Sequence, residues 1–303
     1  SGDEFGFLPM LFGGFVLYAS YYGCDQTQAQ RILSAKDMKD ARTLLFANGV
    51  LRFPLVLLYC FVGLIVGVAI MNDPSLAARI PADKPDYMMP IFIIERLPHG
   101  VIGLLLVAIL AAAMSSLSSA VNSLAAVTME DLSVLGAKPQ SPKQEVIWAR
   151  IVSIFWGIVI LIMSLFAGSI APTVIEAINK VGSALYGPIL AVFLLGMLSK
   201  RVNGAGASVG LIVGVAVNLY LWKAQPQVFW MWWNFIGLVV TGVIALVVSA
   251  FSKPPKADTP VAEHGSTMIS IAKSPYAIAL LGIFLLIVVF STYLKDAQSW
   301  FTG

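Results

Sequence analysis

The sequence predicts an all-α protein threaded repeatedly through a membrane. Three observations carry that reading. Hydrophobic residues fill 58% of the 303 positions and charged residues only 12%, against roughly 25% charged in an ordinary soluble domain. The charges gather between apolar runs of about 17–25 residues, the length a helix needs to cross about 30 Å of hydrocarbon. No stretch between those runs has the size or composition of a soluble domain.

Eight apolar segments follow in order: 6–30, 43–71, 100–128, 146–168, 172–198, 205–223, 228–251 and 275–294. Loops 72–99 and 252–274 are the long connections, and Tyr87 to Leu97 in the first is amphipathic, as a helix at the membrane surface would be. Loops 31–42, 129–150, 199–203 and 252–274 hold twelve of the nineteen Lys and Arg residues, against six on the opposite side. The positive-inside rule therefore puts those four loops in the cytoplasm. The net charge of +3 is spread over loops and makes no case for a nucleic-acid partner. Cys24 and Cys60 lie in apolar segments and read as small packing residues rather than a disulfide framework. Ser1-Gly2-Asp3-Glu4 reads as a loop feeding the first segment, without an initiating Met or a signal peptide, so the chain is expected to be the C-terminal part of a longer protein.

The first segment is punctuated by Gly13-Gly14 and Tyr21-Tyr22-Gly23, then by Asp25-Gln26-Thr27-Gln28. A helix broken at membrane depth is tolerated where its freed backbone lines a cavity, although glycines are common in membrane helices and the polar run also suits a cytoplasmic end. In the second segment Arg52 stands about nine residues in, roughly 14 Å deep. A charge there faces a partner, a wet cavity or a ligand. Its planar fork suits a carboxylate ligand as well as an acidic residue of a neighbouring helix. Pro54 is placed to kink that helix.

The third segment carries small polar residues where apolar ones are expected. Ala112, Ser115, Ser116, Ser119, Asn122 and Ser123 share one helical face. Serines and alanines let membrane helices pack closely and can bond the i−4 carbonyl. Hydroxyls in this number can also replace the water shell of a monovalent cation, which needs fewer anionic ligands than a divalent one. The fifth segment holds Glu176, Asn179 and Lys180, with Glu176 and Lys180 spaced to pair. Gly182-Ser183-Ala184-Leu185-Tyr186-Gly187-Pro188 then marks a candidate bend. Trp222, Trp230, Trp232 and Trp233 flank a turn as an interfacial aromatic belt would. Nucleotide loops, metal clusters and hydrolytic triads are not evident, so the chain does not read as an enzyme.

The run Tyr21-Tyr22-Gly23-Cys24-Asp25-Gln26, with Gln30-Arg31 and Ser34-Ala35-Lys36 behind it, resembles a signature of sodium/solute symporters. Ser115 to Ser123, followed by Thr128-Met129-Glu130-Asp131, is similar to that family's ion-binding helix and its exit. Gly187-Pro188-Ile189-Leu190 onward is a third match in the right order. The resemblance implies a LeuT-type inverted-repeat fold of which this chain is the last eight helices. Residues 1–198 would be the second five-helix repeat, and 199–303 three peripheral helices.

The resemblance further implies a principal sodium site using the backbone oxygen of Ala112 and the hydroxyls of Ser115 and Ser116. Ser115, Ser118 and Ser119 fit the pattern of a second sodium site found in some members. The sugar-transporting branch uses an asparagine and a tyrosine on its broken helix. Tyr21 matches the tyrosine, Tyr18 stands in place of the asparagine, Arg52 in place of a lysine, and Asn179 or Lys180 near a glutamine. The run from Asn122 to Leu132 is closer to the branch for monocarboxylates, vitamins and iodide, and Arg52 suits an anion. The expected function is sodium-coupled symport of a small organic anion or sugar in a lipid bilayer by alternating access. A solute sensor of the same fold, signalling through an attached domain, and a sodium-independent uniporter or channel are the alternatives.

Overall fold

An apolar run in lipid must satisfy its backbone internally, and a helix does so within one segment. The computed structural model describes residues 6–81, 84–166, 173–252 and 274–301, with side chains of the final helix described through residue 290. Its helices are α1 (Phe7–Cys24), α2 (Gln26–Leu33), α3 (Met38–Met71), α4 (Pro74–Ala77), α5 (Met88–Arg96), α6 (His99–Val134), α7 (Pro142–Phe166), α8 (Val174–Leu198), α9 (Gly204–Ala224), α10 (Met231–Ala250) and α11 (Pro275–Phe301). Among the described residues seven helices are long and apolar enough to cross a membrane: α1, α3 and α6 to α10. The eighth expected segment is α11, whose described apolar stretch, Pro275–Phe290, is shorter.

Polar caps set the helix starts. Asp25, Asp37, Asp73, Thr173 and Asn203 each accept a backbone N–H from the first turn of α2, α3, α4, α8 and α9, satisfying donors the helix cannot. Helix α1 runs without interruption through Gly13-Gly14, and Pro54 lies inside α3. Gly13 is where α10 crosses α1, because a Cβ there would fall 2.7 Å from the Met231 carbonyl carbon.

Helices α1, α8, α9 and α10 pack into one bundle, while α6 pairs with α7 and reaches the broken helix through α2. The α9–α10 seam is built from small residues at four-residue spacing. Gly206, Gly210 and Gly214 on α9 face Thr241, Ala245 and Ser249 on α10, and a Cβ on Gly210 would sit 2.7 Å from the Thr241 carbonyl oxygen. Small residues of this kind let membrane helices approach where apolar burial gives no net drive.

The Gly182–Pro188 run lies inside α8, which continues through Pro188 to Leu198. Proline lacks the N–H that would bond the Ala184 carbonyl one turn earlier. Asn218 of α9, fully buried, donates its Nδ2 to that carbonyl at 3.0 Å.

The tryptophans also depart from expectation. Trp230 and Trp233 are buried in a cluster with Leu17, Phe229 and Met231, and Trp222 stacks on Trp233 at 5.9 Å. They hold the start of α10 against the middle of α1 and the end of α9 rather than forming an exposed belt. Loop 72–98 folds as α4 and α5 over the end of α3, burying Val66, Ile70 and Leu76 beside Ile91 and Phe92. Arg79 pairs with Glu95 and Arg96 with Asp73 across it.

Candidate functional site

The break in the first apolar segment falls at Asp25. Helix α1 stops at Cys24, Asp25 is extended at φ −78° and ψ 120°, and α2 restarts for eight residues. The Asp25 carboxylate accepts the Thr27 N–H at 2.7 Å, so the residue that ends one helix begins the next. The arms are tied across the break by Gln28, which is buried and donates its Nε2 to the Tyr21 hydroxyl at 2.6 Å.

Arg52 lies fourteen residues into α3, about 21 Å from its start, because that helix begins at Met38 rather than near residue 43. Its guanidinium donates to the Tyr22 hydroxyl at 3.0 Å, and Tyr22 donates to Asn48 Oδ1 at 3.1 Å. The guanidinium carbon stands 5.2 Å from the Tyr18 ring centre, within cation–π reach. Among the described residues no carboxylate forms an ion pair with Arg52.

Two cavities meet this cluster. One of about 1170 Å³ lies among α1, α8, α11 and the start of α10, with Tyr18, Tyr22, Glu176 and Asn179 in its wall. The other, of about 490 Å³, runs along α3 and is lined by Asn48, Arg52, Tyr59 and aliphatic side chains. Tyr22 therefore joins a wall of the larger cavity to the guanidinium lining the smaller.

The structure thus brings Tyr18 and Arg52 together and puts Asn179 in the same cavity as Tyr18. Asn179 spends its Nδ2 on the Ile175 carbonyl at 2.8 Å. Tyr21 turns to Gln28 instead of Arg52, and Lys180 lines neither cavity. Glu176 and Lys180 form no ion pair among the described residues. Tyr22 and Asn48 are functional candidates that the sequence reading passed over. Each lies one helical turn from a residue it singled out, Tyr22 after Tyr18 and Asn48 before Arg52, a spacing that shares a face.

On α6, Ala112, Ser115, Ser116 and Ser118 are exposed and Ser119 is half-buried. Among the described residues the four serine hydroxyls make no hydrogen bond, whereas Thr128 and Ser153 do bond their i−4 carbonyls. Within this chain no described residue covers Ser115, Ser116 or Ser118, and their hydroxyls do not bond their own helix's carbonyls. Ser123, on the same face, is buried and donates its hydroxyl to Gln30 Oε1 on α2 at 3.0 Å.

Known proteins share both sequence and fold with this chain. The model of the Sodium:solute symporter family matches residues 4–214. The human sodium/iodide cotransporter is 31% identical over 223 residues, 72% of this chain and 34% of that protein. The pig sodium/glucose cotransporter 1 is 29% identical over 276 residues, 81% and 41% of the two. A solved structure of a Na+-coupled sialic acid symporter, outward-open and substrate-bound, superposes with a TM-score of 0.68 at 24% identity, covering 84% of this chain and 52% of that one. It carries the fold, the LeuT-type arrangement expected above. The chain spans about a third to two fifths of the curated relatives' length. With the family match covering more than half of a multi-pass helical membrane chain, the protein belongs to the sodium:solute symporter family, a family of transporters.

Proposed function

We propose that this chain forms the second-repeat half of a sodium-coupled symporter that moves a small organic solute by alternating access. Residues 1–198 supply the repeat and 199–303 the peripheral helices. The observation that carries the reading is the set of hydroxyls on α6 without a protein partner, in a chain of this family. The Ala112 carbonyl oxygen with Ser115 and Ser116 forms this chain's share of the principal sodium site, and Ser118 and Ser119 extend it toward a second. Neutral oxygens fit a hard monovalent ion, and among the described residues no group of three His, Cys, Asp or Glu offers an alternative metal site.

The solute, an organic anion or a sugar, binds beside the broken helix with Tyr18, Arg52 and Asn179 at its cavities. Tyr21 and Lys180 act from outside them, Tyr21 by holding α2. Sodium favours the outward-facing state and solute then favours closure, so each ligand must prefer particular states.

The test uses the full-length protein in proteoliposomes. Uptake should require a sodium gradient, and Ser116→Ala should weaken sodium affinity about ten-fold, the scale of one lost contact to a charged ligand. Sodium-independent uptake, with Ser116→Ala matching the wild type, defeats the proposal. A counterflow screen of sugars, short carboxylates and amino acids fixes the solute class.

A further inference from the structure

We propose that α2 is the lever that transmits sodium occupancy of the α6 stripe to the broken helix, through the Ser123–Gln30 hydrogen bond. The inference rests on the reading above that the stripe holds sodium. Ser123 lies seven residues after Ser116 and four after Ser119, on the same face of one continuous helix. A shift of α6 on ion binding therefore carries Ser123 with it. Its hydroxyl is buried and bonded to Gln30 Oε1 at 3.0 Å, so the motion is handed to α2 rather than dissipated in solvent.

Helix α2 is built to receive it. It has eight residues and is separated from α1 by the extended residue Asp25, so a few backbone torsions suffice to swing it. Gln28 and Gln30, two residues apart, point to nearly opposite sides of a helix that turns about 100° per residue. Gln30 holds α6, and Gln28 holds the Tyr21 hydroxyl of α1 at 2.6 Å. Tyr22, beside Tyr21, carries the bond to Arg52. Three side-chain hydrogen bonds, linked through the backbones of α2 and α1, thus join the stripe to the cavity walls. Ser123, at the far end of the polar stripe, becomes a positioning residue for coupling.

Cys24, a half-buried free thiol at the last position of α1, reports motion at the hinge. The experiment takes full-length protein with Cys24 as its only cysteine and measures its rate of maleimide labelling in sodium chloride and in choline chloride. Saturable radiosodium binding is measured on the same samples. Sodium is expected to change the wild-type labelling rate by about five-fold or more, within the usual range of allosteric coupling. Ser123→Ala and Gln30→Met should each abolish that change while keeping radiosodium binding. Together they should do no more than either alone, and Ser123→Thr, which keeps the hydroxyl, should restore the response.

A wild-type response retained in both Ser123→Ala and Gln30→Met overturns the lever, as does wild-type sodium binding with no change in labelling. Loss of radiosodium binding in Ser123→Ala makes that serine an ion ligand and overturns it too. Absence of saturable radiosodium binding in the wild type is a separate failure, that of the sodium reading itself.

Discussion

A guanidinium inside a membrane span is costly, and its partners decide what it is for. Arg52 has five N–H donors but is met by the neutral oxygen of Tyr22 and the ring of Tyr18, with no carboxylate paired to it among the described residues. It is therefore a cation whose counter-charge can be a ligand. For an anionic solute, Arg52→Ala should weaken binding at least about ten-fold, the loss of a charge-assisted hydrogen bond of about 1.5–3 kcal/mol. Arg52→Lys should recover only part, because the ammonium lacks the planar fork. Tyr22→Phe should cost about five-fold through misplacement of the guanidinium, the scale of an ordinary hydrogen bond. Counterflow with carboxylates and sugars checks all three, and unchanged carboxylate affinity in Arg52→Ala removes the anion assignment. Arg52 was legible in the sequence because a charge within an apolar run is conspicuous wherever its helix packs, and Tyr18 through the family resemblance. Tyr22 and Asn48 were not, because their importance comes from side chains of α1 and α3 reaching one another, and no spacing within one segment encodes that contact.

At the scale of the element, the spans and the break at Asp25 were readable from apolar runs and a polar interruption. The behaviour of α8 was not. Gly187-Pro188 signals a lost backbone donor to anyone reading α8 alone, but not that a residue thirty positions later supplies a replacement. Asn218 Nδ2 replaces the absent Pro188 N–H at the Ala184 carbonyl, a repair by a neighbouring helix that lipid cannot provide. Asn218→Leu keeps the bulk and removes the donor, leaving a buried carbonyl unsatisfied at a cost of about 1–3 kcal/mol. Thermal unfolding in detergent should show that loss. Pro188→Ala restores the N–H within α8, so adding it to Asn218→Leu should recover much of the stability. The two substitutions are coupled through one carbonyl and should be clearly non-additive. Additive effects would mean that Asn218 stabilises the seam by packing alone. The glycine register of α9 shows the same limit. Gly206, Gly210 and Gly214 are visible as a four-residue repeat, but only their approach to Thr241, Ala245 and Ser249 shows which surface the repeat serves.

For the whole molecule, charge counting orients the chain and the fold supplies an independent check on which loops lie together. Asp86 in loop 72–98 accepts the Val174 N–H at the start of α8 at 2.8 Å, so that loop and the α8 entrance share one side. The Asn203 N–H donates to Ser249 Oγ near the end of α10 at 3.1 Å, so the 199–203 turn and the α10 exit share the other. Threading α3 and α6 to α10 across the membrane in alternation keeps both pairings. It also puts 225–230 with 72–98, and 34–37 with 199–203. Positive-inside counting assigns the second group to the cytoplasm. Single cysteines at Lys84 and Gln227 should then react with an impermeant maleimide in intact cells. Cysteines at Lys36 and Lys200 should react only after permeabilisation. Arg79, Lys84 and Arg96 give the outer loop positive charge of its own, so counting alone leaves the inverted orientation in play. The pairings, by contrast, hold in either orientation. Labelling of Lys36 and Lys200 from outside, with Lys84 and Gln227 protected, would invert the molecule and keep the fold. Labelling of Lys84 and Lys200 from the same side would break the alternation, and with it the assignment of α6 and α8 as membrane-crossing neighbours of the broken helix.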